Sequence, residues 1–234
     1  METQQTGSVT KSFIISFYLV LVLWVVKWVE IKYGLSFANF GIIPRTYKGL
    51  IGIFTAPFIH SDLGHLLSNS FPLLITGTML WYFFKDLAIK VSFGVYILSG
   101  LGVWLFARQA YHIGASGVLY GLAGFLFFSG FFRRDHRLLG VSFLVLFLYG
   151  GLIWGMFPII PEISWESHLI GGIIGAAFAF FLRNKGPQRM IYPIEINEDE
   201  EEFEDEYWKI DNENEENESQ QNNTAEDPHP REVL

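Results

Sequence analysis

Cysteine is absent from these 234 residues, which excludes disulfides, thiolate metal sites and a cysteine nucleophile. Charge is sparse outside one stretch. From Glu195 onward stand about 17 acidic residues against two basic ones, Lys209 and Arg231, so the formal net charge of −8 is almost all tail. The remainder keeps about 7 acidic and 14 basic residues, the mildly basic balance of an apolar body with Lys and Arg at a membrane's cytoplasmic face. Nothing at the N-terminus looks like a cleavable leader. Residues 1–11 are polar with a single Lys11, and the apolar run that follows is long enough to span a bilayer and has no small-residue cleavage site. No Ser-rich and Arg-rich transit stretch is present either, so the first run is expected to stay in the protein and a bacterial cytoplasmic membrane is favoured over an organelle.

What is there, in quantity, is apolar sequence: half of the residues are hydrophobic. A bilayer core needs about 20 apolar residues per helix, and six runs qualify, at roughly 12–29, 64–84, 88–107, 115–132, 138–156 and 167–183. Between the first two lies a segment, 30–63, that is neither fully apolar nor charged and contains Pro44, Pro57 and several glycines. It is expected to be a folded loop, partly interfacial. Lys85 and Lys90, then Arg133, Arg134 and Arg137, then Arg183, Lys185 and Arg189 all fall on one side if both termini are cytoplasmic. Lys32, Arg45 and Lys48 in the long loop weaken the contrast without reversing it. The expected organisation is a short cytoplasmic N-terminus at 1–11, a six-span all-α membrane domain at 12–186 and an acidic cytoplasmic tail at 187–234. That tail has too few apolar residues to offset its ordering entropy and is expected to be disordered. A docking motif around Trp208 is the minority alternative.

Polar residues inside spans are costly, so each needs a reason. Three groups stand out. His60-Ser-Asp-Leu-Gly-His65-Leu-Leu-Ser-Asn69 opens the second run. His65 and Asn69, four apart, share a helix face, and both donate hydrogen bonds without a permanent negative charge, which suits a developing oxyanion in a dry site. A metal site fits less well, because Asn is a poor ligand and only Asp62 offers a nearby carboxylate. Gly114-Ala115-Ser116-Gly117 opens the fourth run, where a helix start supplies unpaired N–H groups beside an accessible hydroxyl. Ser167-His168-Leu-Ile-Gly171-Gly172 opens the sixth, and His168 is able to take a serine proton.

Taken singly, each group reads more readily as interhelical packing or hydrogen bonding. Their joint placement changes this. Even-numbered runs all pass from outside to inside in the topology above, so the three groups share the outer side. Gly117, Gly121 and Gly124 on one helix and Gly171 and Gly175 on another permit close approach, bringing Ser116 towards His168, with Tyr120 one turn below Ser116.

These residues resemble the signature of the rhomboid intramembrane protease family. The likeness rests on His60, His65 and Asn69, on Gly114-Ala115-Ser116-Gly117 with Tyr120, and on His168 with Gly171 and Gly175, in a six-span order over 12–183. It implies a six-helix rhomboid-like bundle with a structured first loop. It further implies Ser116 as nucleophile and His168 as base in a dyad without a required carboxylate. The Ser116 N–H, His65 and Asn69 would form the oxyanion site, with His60 supporting the loop. The implied partners are transmembrane protein substrates and the lipid bilayer, with no cofactor, no metal and no nucleic acid. Two departures stand out: Pro44-Arg45-Thr46 replaces a common Trp-Arg pair in the first loop, and Ser167 precedes the base where Ala or Gly is usual. The rival readings are a catalytically inactive relative that binds membrane proteins, and an unrelated six-span channel. The first usually lacks the serine or histidine; the second would need ionisable residues along a path through the bundle.

Overall fold

The computed structural model describes residues 7–160 and 163–188. Among these the chain is all-helical, its one extended pairing being the isolated antiparallel bridge between Ile42 and His112. Helix α1 (Val9–Tyr33) starts at Ser8, whose side chain accepts from the Lys11 amide, and stops at Gly34 in the left-handed conformation. The loop then holds short turns and a four-residue helix, α2 (Gly52–Thr55). Helix α3 (Leu63–Phe83) is capped by Asp62, which accepts from His65 N, and carries Pro72 in its interior. After α4 (Lys85–Phe106) and α5 (Ser116–Arg133) comes α6 (His136–Tyr149), which tightens into 3-10 geometry over Gly150–Met156. Helix α7 (Trp165–Phe181) closes the described bundle.

The polarity of α1 is inverted relative to a helix in water. Phe13, Phe17, Tyr18 and Leu19 are exposed, while Ser12, Ser16 and Glu30 are buried. In hydrocarbon that is the favourable arrangement, since polar groups must find partners inside the protein. Helices α1, α4 and α5 are long and apolar enough to cross a membrane, and the pair Lys48–Phe58 and Leu63–Phe83, bent by 70°, raises the number to four. The runs expected at 138–156 and 167–183 fall on α6 and α7, whose 14 and 17 residues are short for a span. The tail expected to be disordered lies, from residue 189 on, outside the described residues.

The centre of the bundle is the α5–α7 seam. A β-carbon at Gly171 would collide with the Gly117 carbonyl oxygen, and one at Gly175 with that of Gly121. At Gly124 it would lie 2.8 Å from the Gly172 oxygen. The two backbones thus touch directly, as small residues allow where helices pack without a hydrophobic driving force. Below the seam, Leu80, Phe84, Val91, Val95, Phe125 and Leu126 form a fully buried cluster.

The first loop is tied down rather than free. Ile42 exchanges two 2.9 Å backbone hydrogen bonds with His112. Arg45 Nη1 donates to the carbonyls of Leu105 and Ala107 at the end of α4, and the Trp104 indole donates to Thr46 O. The two Arg45 bonds satisfy carbonyls that the end of α4 leaves orphaned. The Pro-Arg-Thr segment therefore docks onto α4 with a tryptophan supplied by the helix, not by the loop.

Candidate active site

Ser116 is the first residue of α5, preceded by Ala115 as cap, so amides of the opening turn have no partner within the helix. The turn into it needs Gly114, whose φ of 107° disfavours any side chain. Its bare face also admits the His65 ring: a β-carbon there would lie 2.8 Å from both Cε1 and Nε2.

His168 sits in the opening turn of α7, and its Nδ1 lies 2.8 Å from Gly155 O. A carbonyl can only accept, so Nδ1 carries the hydrogen and the neutral ring keeps Nε2 as a bare acceptor. Tyr120 stacks on the imidazole with ring centroids 4.1 Å apart and planes within 5°. Gly155 is needed for this arrangement, because a β-carbon would run into the Tyr120 hydroxyl and stand 3.0 Å from His168 Nδ1.

Both residues line one cavity of about 490 Å³, together with His65, Asn69, Tyr120 and Ser164. Ser116 and His168 are each 8% exposed, on the cavity side. No hydrogen bond joins their side chains among the described residues.

The α3 wall supplies donors. Asn69 Nδ2 gives one hydrogen to His65 O at 2.9 Å and retains a second. Ser61 Oγ lies 2.7 Å from Asp62 Oδ2 and 3.1 Å from His65 Nδ1. The hydroxyl's one hydrogen goes to Asp62, whose carboxylate can only accept. Ser61 Oγ therefore accepts from His65 Nδ1, and His65 Nε2, facing Gly114, is a donor when the ring is doubly protonated.

His60 does not line the cavity. It is 2% exposed behind the wall, edge-on to His65 at 5.0 Å, and its Nε2 accepts from the Ala115 amide at 3.4 Å. Burial above all, with the neighbouring His65 second, lowers its pKa to about 4 and keeps it neutral. Asp62, at the surface, is held below the usual carboxylate range chiefly by the Ser61 hydroxyl. Gly117 and Gly171 act at the seam, not in the cavity.

The sequence did not mark several residues found here. Ser61, Ser68, Tyr111 and Ser164 line the cavity, and short hydroxyls look like ordinary loop polarity. Ser164 Oγ bridges His112 Nδ1 (2.5 Å) and Ser167 Oγ (2.6 Å), giving the unusual Ser167 a partner. Among the described residues no cluster of three or more His, Asp or Glu has the geometry to hold a metal ion.

Comparison with known proteins agrees with this architecture. The rhomboid-domain family model matches residues 47–185. An uncharacterized protein of Mycobacterium tuberculosis (strain ATCC 25618 / H37Rv) is 32% identical over 179 residues, covering 73% of this chain and 74% of the relative. Another, of Mycobacterium leprae (strain TN), is 34% identical over 164 residues, covering 66% and 64%. With a matched domain over more than half its length and lipid-compatible helices around a polar interior, the chain belongs to the rhomboid family and is an integral membrane protein.

Proposed function

We propose that this protein is an intramembrane serine endopeptidase that cuts transmembrane segments of other membrane proteins, with Ser116 as nucleophile and His168 as general base. The observation that carries the reading is the commitment of His168 Nδ1 to Gly155 O, which frees Nε2 in a cavity shared with Ser116. Rhomboid membership supports it, because serine proteolysis is general in that family.

A substrate helix hides its carbonyls in its own hydrogen bonds and must unwind locally before attack. Ser116 Oγ then adds to the exposed carbonyl carbon while its proton passes to His168 Nε2. The carbonyl oxygen becomes an oxyanion, met by the Ser116 N–H, the Asn69 amide and His65. Collapse breaks the C–N bond as His168 returns the proton to the leaving amine. Water then adds to the acyl-serine, giving His168 a proton that goes to Ser116 Oγ when the acid departs. Crowding by Ser116, Tyr120 and the stacked His168 favours a small residue before the cut, and helix-weakening residues near it speed cleavage.

The accompanying membrane arrangement is a six-span domain over 12–186, α6 and its 3-10 extension forming the fifth span and α7 the sixth. Both termini face the cytoplasm of a bacterium, and the 187–234 tail is dispensable for the chemistry.

The test is cleavage of a reporter transmembrane substrate by purified protein in liposomes, comparing wild type, Ser116→Ala and His168→Ala, with a fluorophosphonate probe in parallel. Cleavage and labelling that vanish in Ser116→Ala support the reading. A folded wild type that neither labels nor cleaves across a substrate panel sinks it and favours the binding-protein alternative.

A further inference from the structure

The matched domain begins at residue 47 and leaves α1 outside it. Yet α1, whose other charges are Lys11 and Lys32 near its two ends, carries a buried ionic pair, Lys27 and Glu30, in its C-terminal part. Charges in a span are expensive and call for an account. Lys27 Nζ lies 3.1 Å from Glu30 Oε2, 2.9 Å from His60 O and 3.0 Å from Ser61 O. An ammonium has three hydrogens, and here all three are placed. Glu30 is 5% exposed, and its other oxygen accepts from the Phe37 amide at 2.7 Å. The pair therefore grips the chain where it leaves α1 and again where it returns to enter α3.

The two carbonyls held by Lys27 belong to residues whose side chains touch the start of α5 and the first turn of α3. His60 Nε2 accepts from Ala115 N, the amide immediately before Ser116. Ser61 Oγ touches His65 Nδ1, and the adjoining Asp62 caps the helix that carries His65 and Asn69. We infer that Lys27, held by Glu30, is a positioning residue that fixes the His60–Ser61 backbone and through it aims His65 and the Ser116 amide at the developing oxyanion.

Two other roles fit less well. A mere anchor for α1 needs one bond to the loop, whereas two adjacent carbonyls fix the direction of the chain between them. A substrate contact needs access, and the Lys27 and Glu30 side chains are only 12% and 6% exposed. The inference rests on the protease reading, so its test carries a readout independent of turnover.

The decisive variant is the double substitution Lys27→Met with Glu30→Gln in the full chain. It removes both charges together, avoiding a lone buried carboxylate, and retains an oxygen for the Phe37 amide. Cleavage rates, thermal midpoint and amide hydrogen exchange over residues 60–66 are measured in liposomes or detergent. Expected are a folded protein, kcat lowered about 10- to 100-fold with KM within about two-fold, the range for a misaimed oxyanion donor, and faster exchange over 60–66. A folded double variant with wild-type kcat and unchanged exchange overturns the inference. If the double variant does not fold, Lys27→Arg decides. A planar guanidinium cannot reproduce the ammonium's tripod, so kcat must fall at constant KM, and a wild-type kcat overturns the clamp. Absence of any Ser116-dependent cleavage in wild type would defeat the protease reading instead, and the exchange measurement then decides the clamp alone.

Discussion

Gly114→Ala tests the geometry at its tightest point. The residue has φ of 107°, and a β-carbon would lie 2.8 Å from the His65 Cε1 and Nε2 atoms. Two costs follow. Holding a non-glycine residue in that backbone region costs about 1–3 kcal/mol. Restoring an ordinary contact of 3.4 Å pushes the imidazole back by about 0.6 Å, and displacements near that size cost up to about 100-fold in rate. The turn cannot yield easily, since the Gly114 amide is bonded to Ala56 O at 2.9 Å. We expect a thermal midpoint several degrees lower and, with the folded fraction matched, a kcat reduced about 10- to 100-fold with little change in KM. The assay is reporter cleavage in liposomes beside fluorophosphonate labelling. Gly140→Ala is the control: nothing lies within 4 Å of its β-carbon position in α6, and the change should be neutral or stabilising by about 0.5–1 kcal/mol. Gly114→Ala with wild-type kcat and stability would refute the argument that His65 leans on the bare glycine.

Gly171→Ala places a methyl on the Gly117 carbonyl oxygen; it should destabilise by about 1–3 kcal/mol and lower kcat, and an unchanged unfolding midpoint contradicts the direct backbone contact. Ser61→Ala removes the hydroxyl beside His65 Nδ1; kcat should fall about ten-fold at constant KM, and an unchanged kcat assigns that hydroxyl to Asp62 alone. His60 has a folded pKa near 4 against 6.5 for the free side chain. The unfolded chain then binds the extra proton first, so stability is full above about pH 6.5 and declines as pH falls towards about 4. His60→Gln should flatten that part of a thermal-midpoint profile, and an identical slope in the variant rejects the assignment.

Much of the helical layout was readable because apolar runs bounded by Lys, Arg or Gly leave few alternatives. Of the residues that meet in the cavity, His65, Asn69, Ser116 and His168 stand out as polar groups too costly to bury without purpose. What escaped has a physical pattern. Lys27 and Glu30 lie at the edge of the first run, where a charge reads as a boundary, and only the fold returns residues 60–61 to them. The Gly155 carbonyl that sets the His168 tautomer is a group every residue possesses, so no residue type advertises it. Arg45 read as a departure from the usual loop pattern, yet it bonds two carbonyls at the end of α4, a role set by distance and not by neighbours in sequence. The run at 138–156 coincides with α6 and its 3-10 extension together, and the change of geometry at Gly150 left no mark in the sequence because both geometries share the same apolar alphabet.

The glycine seam between α5 and α7 carries a consequence for how this protein can change over time. Because the two main chains abut, the spacing between the serine-bearing and histidine-bearing helices is fixed by backbone radius and not by the fit of interlocking side chains. A side-chain core drifts as its members exchange volume with one another; a main-chain contact has no volume to trade. The exposed outer shell, with residues such as Phe13, Tyr18, Phe93 and Phe181, can therefore be rewritten for a new lipid environment while the two helices keep their distance.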